Sequence, residues 1–322
     1  MTFAPIIVFS YNRPNHLKRT LEALSKNELA SESDLFIFCD GAKENASEEQ
    51  QNNIAQNRIV AHYAEGFKTI KVVEREKNMG LANSIIAGVS EVIETYGRAI
   101  ILEDDILSSR WFLKYMNSAL DYYESYSGVY SISANRPPEN RMMIPEDYPY
   151  DVFASLRNYC WGWATWKDRW NKVDWSMEYL PELLKYPEQI EAYNRGGDDL
   201  TDLMLLQKNG KIDSWAVRFG FEHFVQHAVS ILPCHAYASN IGFDGTGTHT
   251  GVVVGVYDND LSKAIETPRF MPIVYEDKRI VNAFYNAFCK KKRPIWQKAI
   301  NYIFRKLHKK PPFVIKKKIY SE

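Results

Sequence analysis

Long apolar runs are missing from these 322 residues: none approaches the ~18 residues that a membrane-spanning helix requires. Cysteine is sparse. Cys39, Cys160, Cys234 and Cys289 stand far apart with no CxxC spacing, which excludes a disulfide framework and a zinc knuckle and leaves incidental packed thiols. The opening stretch MTFAPIIVFSYNRP has no basic start and meets polar residues too early for a secretory signal, so the expected location is the cytoplasm. No GxxxxGK[ST] phosphate loop occurs, which argues against a P-loop kinase or ATPase. The glycines of residues 240–251 (NIGFDGTGTHTG) do not form GxGxxG and fall far beyond the first strand–helix unit, which argues against a dinucleotide fold.

Apolar residues at 45% and charged residues at 25% describe an ordinary globular chain with a large core. The length suits two average domains or one large α/β domain. The net charge of zero hides an asymmetry. Residues 290–322 hold 12 Lys and Arg against the single acid Glu322, leaving 28 basic and 39 acidic residues in the rest. An acidic globule of net −11 does not suit nucleic acid, and a tail of net +11 has a role of its own.

Strand-like runs alternate with helical spacing through the first third. Residues 5–9, 34–40, 69–74 and 98–102 read as strands, and residues 15–24, 49–63 and 82–96 as helices. That order implies βαβ units and a mostly parallel sheet flanked by helices, whose functional loops lie at the carboxyl ends of the strands. Three polar clusters fall at such ends: Tyr11-Asn12-Arg13, Asp40-Gly41 and Glu103-Asp104-Asp105. Acids crowded after an apolar strand repel one another and need compensation. Mg²⁺ or Mn²⁺ held jointly with substrate phosphates supplies it, since such ions take few protein carboxylates. The plainer alternative is an acidic cap for a helix near residues 111–119.

The second half is less regular. Residues 159–175 (YCWGWATWKDRWNKVDW) contain five Trp that do not share one helical face, which suggests a split between core and a sugar-facing wall. Residues 200–207 read as a helix and residues 268–276 as a late edge segment. His223 and His227 have i, i+4 spacing, but Phe224 stands where a zinc protease needs Glu, so they read as packed or solvated side chains.

Taken in order, these segments resemble the nucleotide-sugar glycosyltransferases of GT-A fold, specifically N-acetylglucosaminyltransferase I and its bacterial relatives. ILEDDI is similar to that family's acidic metal motif, PIIVFSYNRPNHLKRTLEAL to its first strand and helix, FIFCDGAK to its second strand, CWGWATWKDRW to its Gly-Trp segment, IDSWAVR to the stretch with its base, and LPCHAYASNIGFDGTGTH to its mobile loop. The resemblance spans about residues 4–250. It implies Asp105 as the metal residue and Asp213 as the catalytic base. It further implies that Arg13 reaches the diphosphate, Asp40 the uracil, and Glu103 and Asp104 the remaining donor site. Ile212 and Ser214 depart from the family's Trp and second Asp.

The chemistry points the same way: a divalent ion plus Arg13 can stabilise a departing UDP, and inversion needs one base for the acceptor hydroxyl. Asp198, Asp199 and Asp202 are alternative bases to Asp213, whose plainer role is an ion pair with Arg218. The expected protein is thus a GT-A domain over residues 1–288 and a basic amphipathic tail over 289–322. It is a metal-dependent, inverting UDP-sugar transferase acting on a glycan or lipid-linked acceptor in bacterial surface polysaccharide or lipopolysaccharide synthesis. In the tail, Ile295, Trp296, Ala299, Ile300, Ile303, Phe304 and Leu307 share a helical face among Lys and Arg, which suits docking on an anionic membrane's inner face. The alternatives are a sugar-phosphate nucleotidyltransferase, whose glycine- and Lys/Arg-rich loop SYNRPNH lacks, and a non-catalytic glycan- and membrane-binding module.

Overall fold

Apolar runs too short for a membrane span become the buried strands of one sheet. The computed structural model describes residues 3–244, 259–288 and 300. The strands are β1 Ile6–Ser10, β2 Asp34–Cys39, β3 Thr69–Glu74, β4 Arg98–Glu103, β5 Ile106–Ser108, β6 Val129–Ser133, β7 Val152–Ser155, β8 Trp163–Trp166, β9 Val229–Pro233 and β10 Ala238–Asn240. The helices are α1 Pro14–Ser25, α2 Glu48–His62, α3 Leu81–Tyr96, α4 Phe112–Tyr123, the short α5 Lys167–Trp170, α6 Leu180–Leu183 and α7 Pro187–Tyr193, then α8 Leu200–Lys208, α9 Trp215–Val225 and α10 Lys278–Phe288. Among the described residues, eight strands form a sheet in the order β3-β2-β1-β4-β8-β6-β9-β7, and β5 pairs with β10 as a separate ribbon.

The sheet is mostly parallel. β1 lies parallel to β2 and β4, β2 to β3, and β6 to β9, while β8 and β7 are antiparallel insertions. Every residue of β1 is buried, as expected for a strand covered by helices on both faces. One core joins α1 and α4 to the first face through Leu17, Leu21, Leu24, Phe112, Met116 and Leu120. The other joins α3 and α9 through Ile85, Val89, Val92, Trp215 and Phe219. Full burial of each such side chain contributes roughly 1.5–3 kcal/mol.

The α/β architecture and the first six elements agree with the sequence reading to within a residue or two. Residues 268–276 differ from it: they form no strand. They run along α4 and β7 instead, where Tyr123 Oη donates to Met271 O at 3.4 Å and Arg269 O accepts from Asp151 N at 3.0 Å. The acid triplet does not cap a helix either, because β5 intervenes before α4 starts. The Trp segment divides as its mixed spacing suggested. Trp163, Trp166 and Trp170 are buried, whereas Trp161 and Trp175 remain partly accessible. Gly162 makes the division possible, since its φ of +75° lets the chain turn between Trp161 and β8. His223 is a packed core side chain, 2.9 Å from Ser131 Oγ and 2.8 Å from Phe219 O. No helix among the described residues is long and apolar enough to cross a membrane. The amphipathic tail lies outside the described residues.

Candidate active site

The parallel pairing Phe9↔Glu103 brings the ends of β1 and β4 side by side, so the residues after each strand must meet. Arg13 is the N-cap residue of α1, and its Nη2 donates to Asp104 Oδ1 at 2.5 Å and to Asp105 Oδ2 at 2.8 Å. Tyr11 N donates to Asp104 Oδ2 at 3.3 Å, and Thr20 Oγ1 donates to Asp104 O at 2.7 Å. Arg13 thus bridges two carboxylates that are themselves 6% and 10% exposed. Burial alone would lower the guanidinium's pKa, but Asp104 and Asp105 outweigh it and hold the charge firmly.

One guanidinium does not balance three acids. Burial pushes the Glu103 carboxyl well above the usual range, and the charges of Asp105 and Asp104 push it further. Burial likewise raises Asp104, with Arg13 opposing. This excess of negative charge suits a divalent cation. Among the described residues, no group of three or more His, Cys, Asp and Glu side chains forms a metal cage alone. That is compatible with a Mg²⁺- or Mn²⁺-type ion, which takes one or two carboxylates and completes its shell from substrate phosphates and water. Asp105 could contribute one such carboxylate: among the described residues its Oδ1 has a single long contact, 3.4 Å from Asn240 Nδ2.

The segment that resembles the family's mobile loop lies over Asp105. Ile241 N donates to Asp105 O at 2.9 Å, and β10 holds the loop against β5. Gly242 is there because nothing larger fits: a Cβ would stand 2.2 Å from Asp105 Oδ2 and 3.0 Å from an Arg13 guanidinium nitrogen. Asn240 and Gly242 border the acid pair individually unpredicted, although both lie inside the glycine-rich segment that the sequence singled out.

Asp40 occupies a neighbouring but separate position at the end of β2. Its carboxylate accepts from Gly41 N, Asn78 Nδ2, Met79 N and Gly80 N at 2.9–3.2 Å, fixing the loop that leads into α3. Asp213 is not joined to the acid cluster by any direct contact. It is 60% exposed and paired with Arg218 Nη2 at 2.8 Å, while Trp215 turns inward to stack on Trp163. Trp215, although only two residues away in sequence, therefore leaves the Asp213 carboxylate open to solvent. Of the alternative bases, Asp199 is 2% exposed and held bidentately by Arg157 at 2.7 and 3.0 Å.

An aromatic cleft of about 130 Å³ opens beside the acids, walled by Tyr159, Cys160, Trp161, Tyr193, Ser214 and Phe288. Two observations join it to the cluster. The Cys160 thiol is pushed up to about 12 by burial and next by the charge of Glu103, with Asp105 contributing. Trp161 packs edge-on to Phe243, on the loop over Asp105, at 5.4 Å. Ser214 in the wall directly follows Asp213 in sequence.

A mostly parallel sheet flanked by helices, with its polar clusters at the strand ends, is the architecture of the GT-A glycosyltransferases. The chain belongs to Glycosyl transferase family 2, whose profile matches residues 6–170. No curated protein matches it by sequence. Among solved structures it is similar to S. aureus TarS 1–349, with 14% identity, 74% of this chain and 60% of that one covered, and a TM-score of 0.42. It is also similar to the mannosyltransferase PcManGT from Pyrobaculum calidifontis in complex with GDP-Man and Mn²⁺ (14% identity, 52% and 46% covered, TM-score 0.36). UDP-glucose pyrophosphorylase complexed with UDP-glucose overlaps more loosely in sequence (10% identity, 72% and 90% covered, TM-score 0.37). The chain spans less than two thirds of the length of the TarS and PcManGT chains.

Proposed function

We propose that the protein is a metal-dependent, inverting glycosyltransferase that moves a sugar from a UDP-sugar to a hydroxyl of a glycan or lipid-linked acceptor. The observation that carries this reading is the Arg13 bridge between Asp104 and Asp105, set beside the aromatic cleft. Bound at Asp105, a divalent cation supplies positive charge for the departing diphosphate. Arg13 adds a fixed guanidinium at the same place, available at no reorganisation cost. Glu103 and Asp104 complete the acidic surround. Asp40, with its oxygens engaged, acts by shaping the wall against the uracil through residues 78–80. The acceptor lies in the cleft on the Trp161 side, where aromatic faces meet the apolar side of sugars.

Asp213 takes the acceptor's proton. The acceptor oxygen forms its bond to the anomeric carbon from the face opposite the diphosphate, the sugar–phosphate bond breaks, and UDP leaves with that electron pair. Before this step Asp213 exchanges its Arg218 partner for the acceptor hydroxyl. The likeness to N-acetylglucosaminyltransferase I and a role in surface polysaccharide or lipopolysaccharide synthesis belong to this reading, as does tail docking on an anionic membrane.

The test is UDP binding by calorimetry with and without Mn²⁺, in the wild type and Asp105→Ala. Mn²⁺ should tighten UDP binding in the wild type and not in the variant, since only the ion's anchor is lost. Equal Mn²⁺ enhancement in both proteins would remove Asp105 from the site.

A further inference from the structure

A second cavity lies on the same edge of the sheet, beyond the acids. It measures about 220 Å³ and is formed by residues 136–140 after β6, residues 234–236 after β9, and residues 259–263. Its floor is preformed. Arg136, 3% exposed, donates from Nε to Pro137 O at 3.0 Å, from Nη1 to Cys234 O at 2.6 Å and from Nη2 to Met142 O, tying the two strand-end loops together. Asn259 Nδ2 adds bonds of 3.1 Å to Asn135 Oδ1 and to Arg136 O.

The lining selects a chemical class. Lys263 Nζ meets both Glu139 oxygens at 2.7 and 2.9 Å, and Asp260 caps Ser262. Arg136 and Lys263 are thus offset by Glu139 and Asp260, so the cavity has no net charge to attract an anion or a cation. It offers donors and acceptors side by side instead. Asn140 and His235 line it with no hydrogen-bond partner among the described residues, and His235 Nδ1 is buried without one. The Asn140 amide and the His235 ring each offer a donor and an acceptor, which matches the hydroxyls of a neutral polyol, each of which both donates and accepts. The volume admits a sugar ring.

Position completes the argument. In the order β4-β8-β6-β9, the ends of β6 and β9 lie two and three strands from the acids on β4, or about 10–14 Å at ordinary strand spacing. A short oligosaccharide covers that span and a single sugar does not. We infer that this cavity holds a neutral sugar residue of the acceptor glycan, remote from the reacting hydroxyl. The inference rests on the glycosyltransferase reading and makes the acceptor an oligosaccharide.

The experiment uses the full chain with labelled histidine. The His235 ring signal is assigned by its loss in His235→Ala and followed by NMR during titration with glucose, galactose, N-acetylglucosamine, glucuronate and inorganic phosphate. At least one neutral sugar should move it saturably in the millimolar range. Asn140→Ala, an exposed position, should weaken that response about three- to tenfold, as the loss of one hydrogen bond implies, with UDP binding unchanged. No response to any neutral sugar, or a response to glucuronate or phosphate at lower concentration, overturns the inference. Failure of Mn²⁺ to enhance UDP binding in the wild type would instead count against the glycosyltransferase mechanism, so the two failures are distinguishable.

Discussion

Replacing Arg13 with Gln removes the charge that two buried carboxylates share. Asp104 and Asp105 then stand unpaired beside Glu103 at 6% and 10% exposure. Removing one partner of a buried ion pair costs about 3–5 kcal/mol, because the remaining charge is left uncompensated. For a chain of this size about 2 °C accompanies each kcal/mol, so the melting temperature should fall by roughly 6–10 °C in EDTA. The loss should depend on pH with a definite sign. Burial already raises Asp104 and Glu103 above their unfolded values, and losing Arg13 raises Asp104 further, so the folded variant binds more protons than the unfolded chain. Its stability is therefore fully present at low pH and is lost as pH rises through those folded values. The gap to wild type should be widest at about pH 8 and shrink by about pH 5. Mn²⁺ should narrow it at pH 8 by supplying the missing positive charge. Thermal unfolding at three pH values, with EDTA and with Mn²⁺, measures all of this. A loss below ~2 °C, or a gap that ignores pH, would refute the claim that Arg13 holds these acids.

Three further outcomes can be checked independently. Asp213→Asn should lower turnover by about 10²–10⁴ with donor affinity nearly unchanged, since shape is kept and the proton acceptor is lost; survival of activity there with its loss in Asp202→Asn would move the base upstream. Burial lowers His223 to about 4, so the folded state resists its protonation and stability should fall by up to about 3 kcal/mol as pH drops from 6.5 to 4. Urea unfolding of His223→Gln should show a shallower slope over that window, and an unchanged slope would acquit His223. The full chain should sediment with anionic liposomes and be released by salt, whereas a chain ending at Cys289 should stay soluble and folded; aggregation of the shorter chain would assign the tail to the core.

Glycosyltransferase chemistry was legible from residue order because parallel βαβ units obey a rule that sequence exposes. Apolar runs followed by polar clusters mark the carboxyl ends of strands, and adjacent strands bring those ends together. Tyr11-Asn12-Arg13 and Glu103-Asp104-Asp105 group together on that ground alone, and Arg13 does bridge Asp104 and Asp105. The Trp segment was readable only as mixed, since spacing shows that five rings do not share a face but not which of them meets water.

Contacts between residues distant in sequence were decided only by the tertiary structure. Gly242 lies against Asp105 because β10 returns beside β5, and no local pattern encodes that pairing. Asp199 looked as suitable a base as Asp213 until Arg157, from the loop after β7, was seen to hold both its oxygens. Arg136 and His235 come together through the parallel pairing of β6 with β9, strands separated by residues 134–228. Local sequence determined which segments are strands and helices and which polar groups end them, because propensity and hydrophobic period act over a few residues. The order of strands in the sheet determined which of those groups meet, because that order follows from packing the whole core at once.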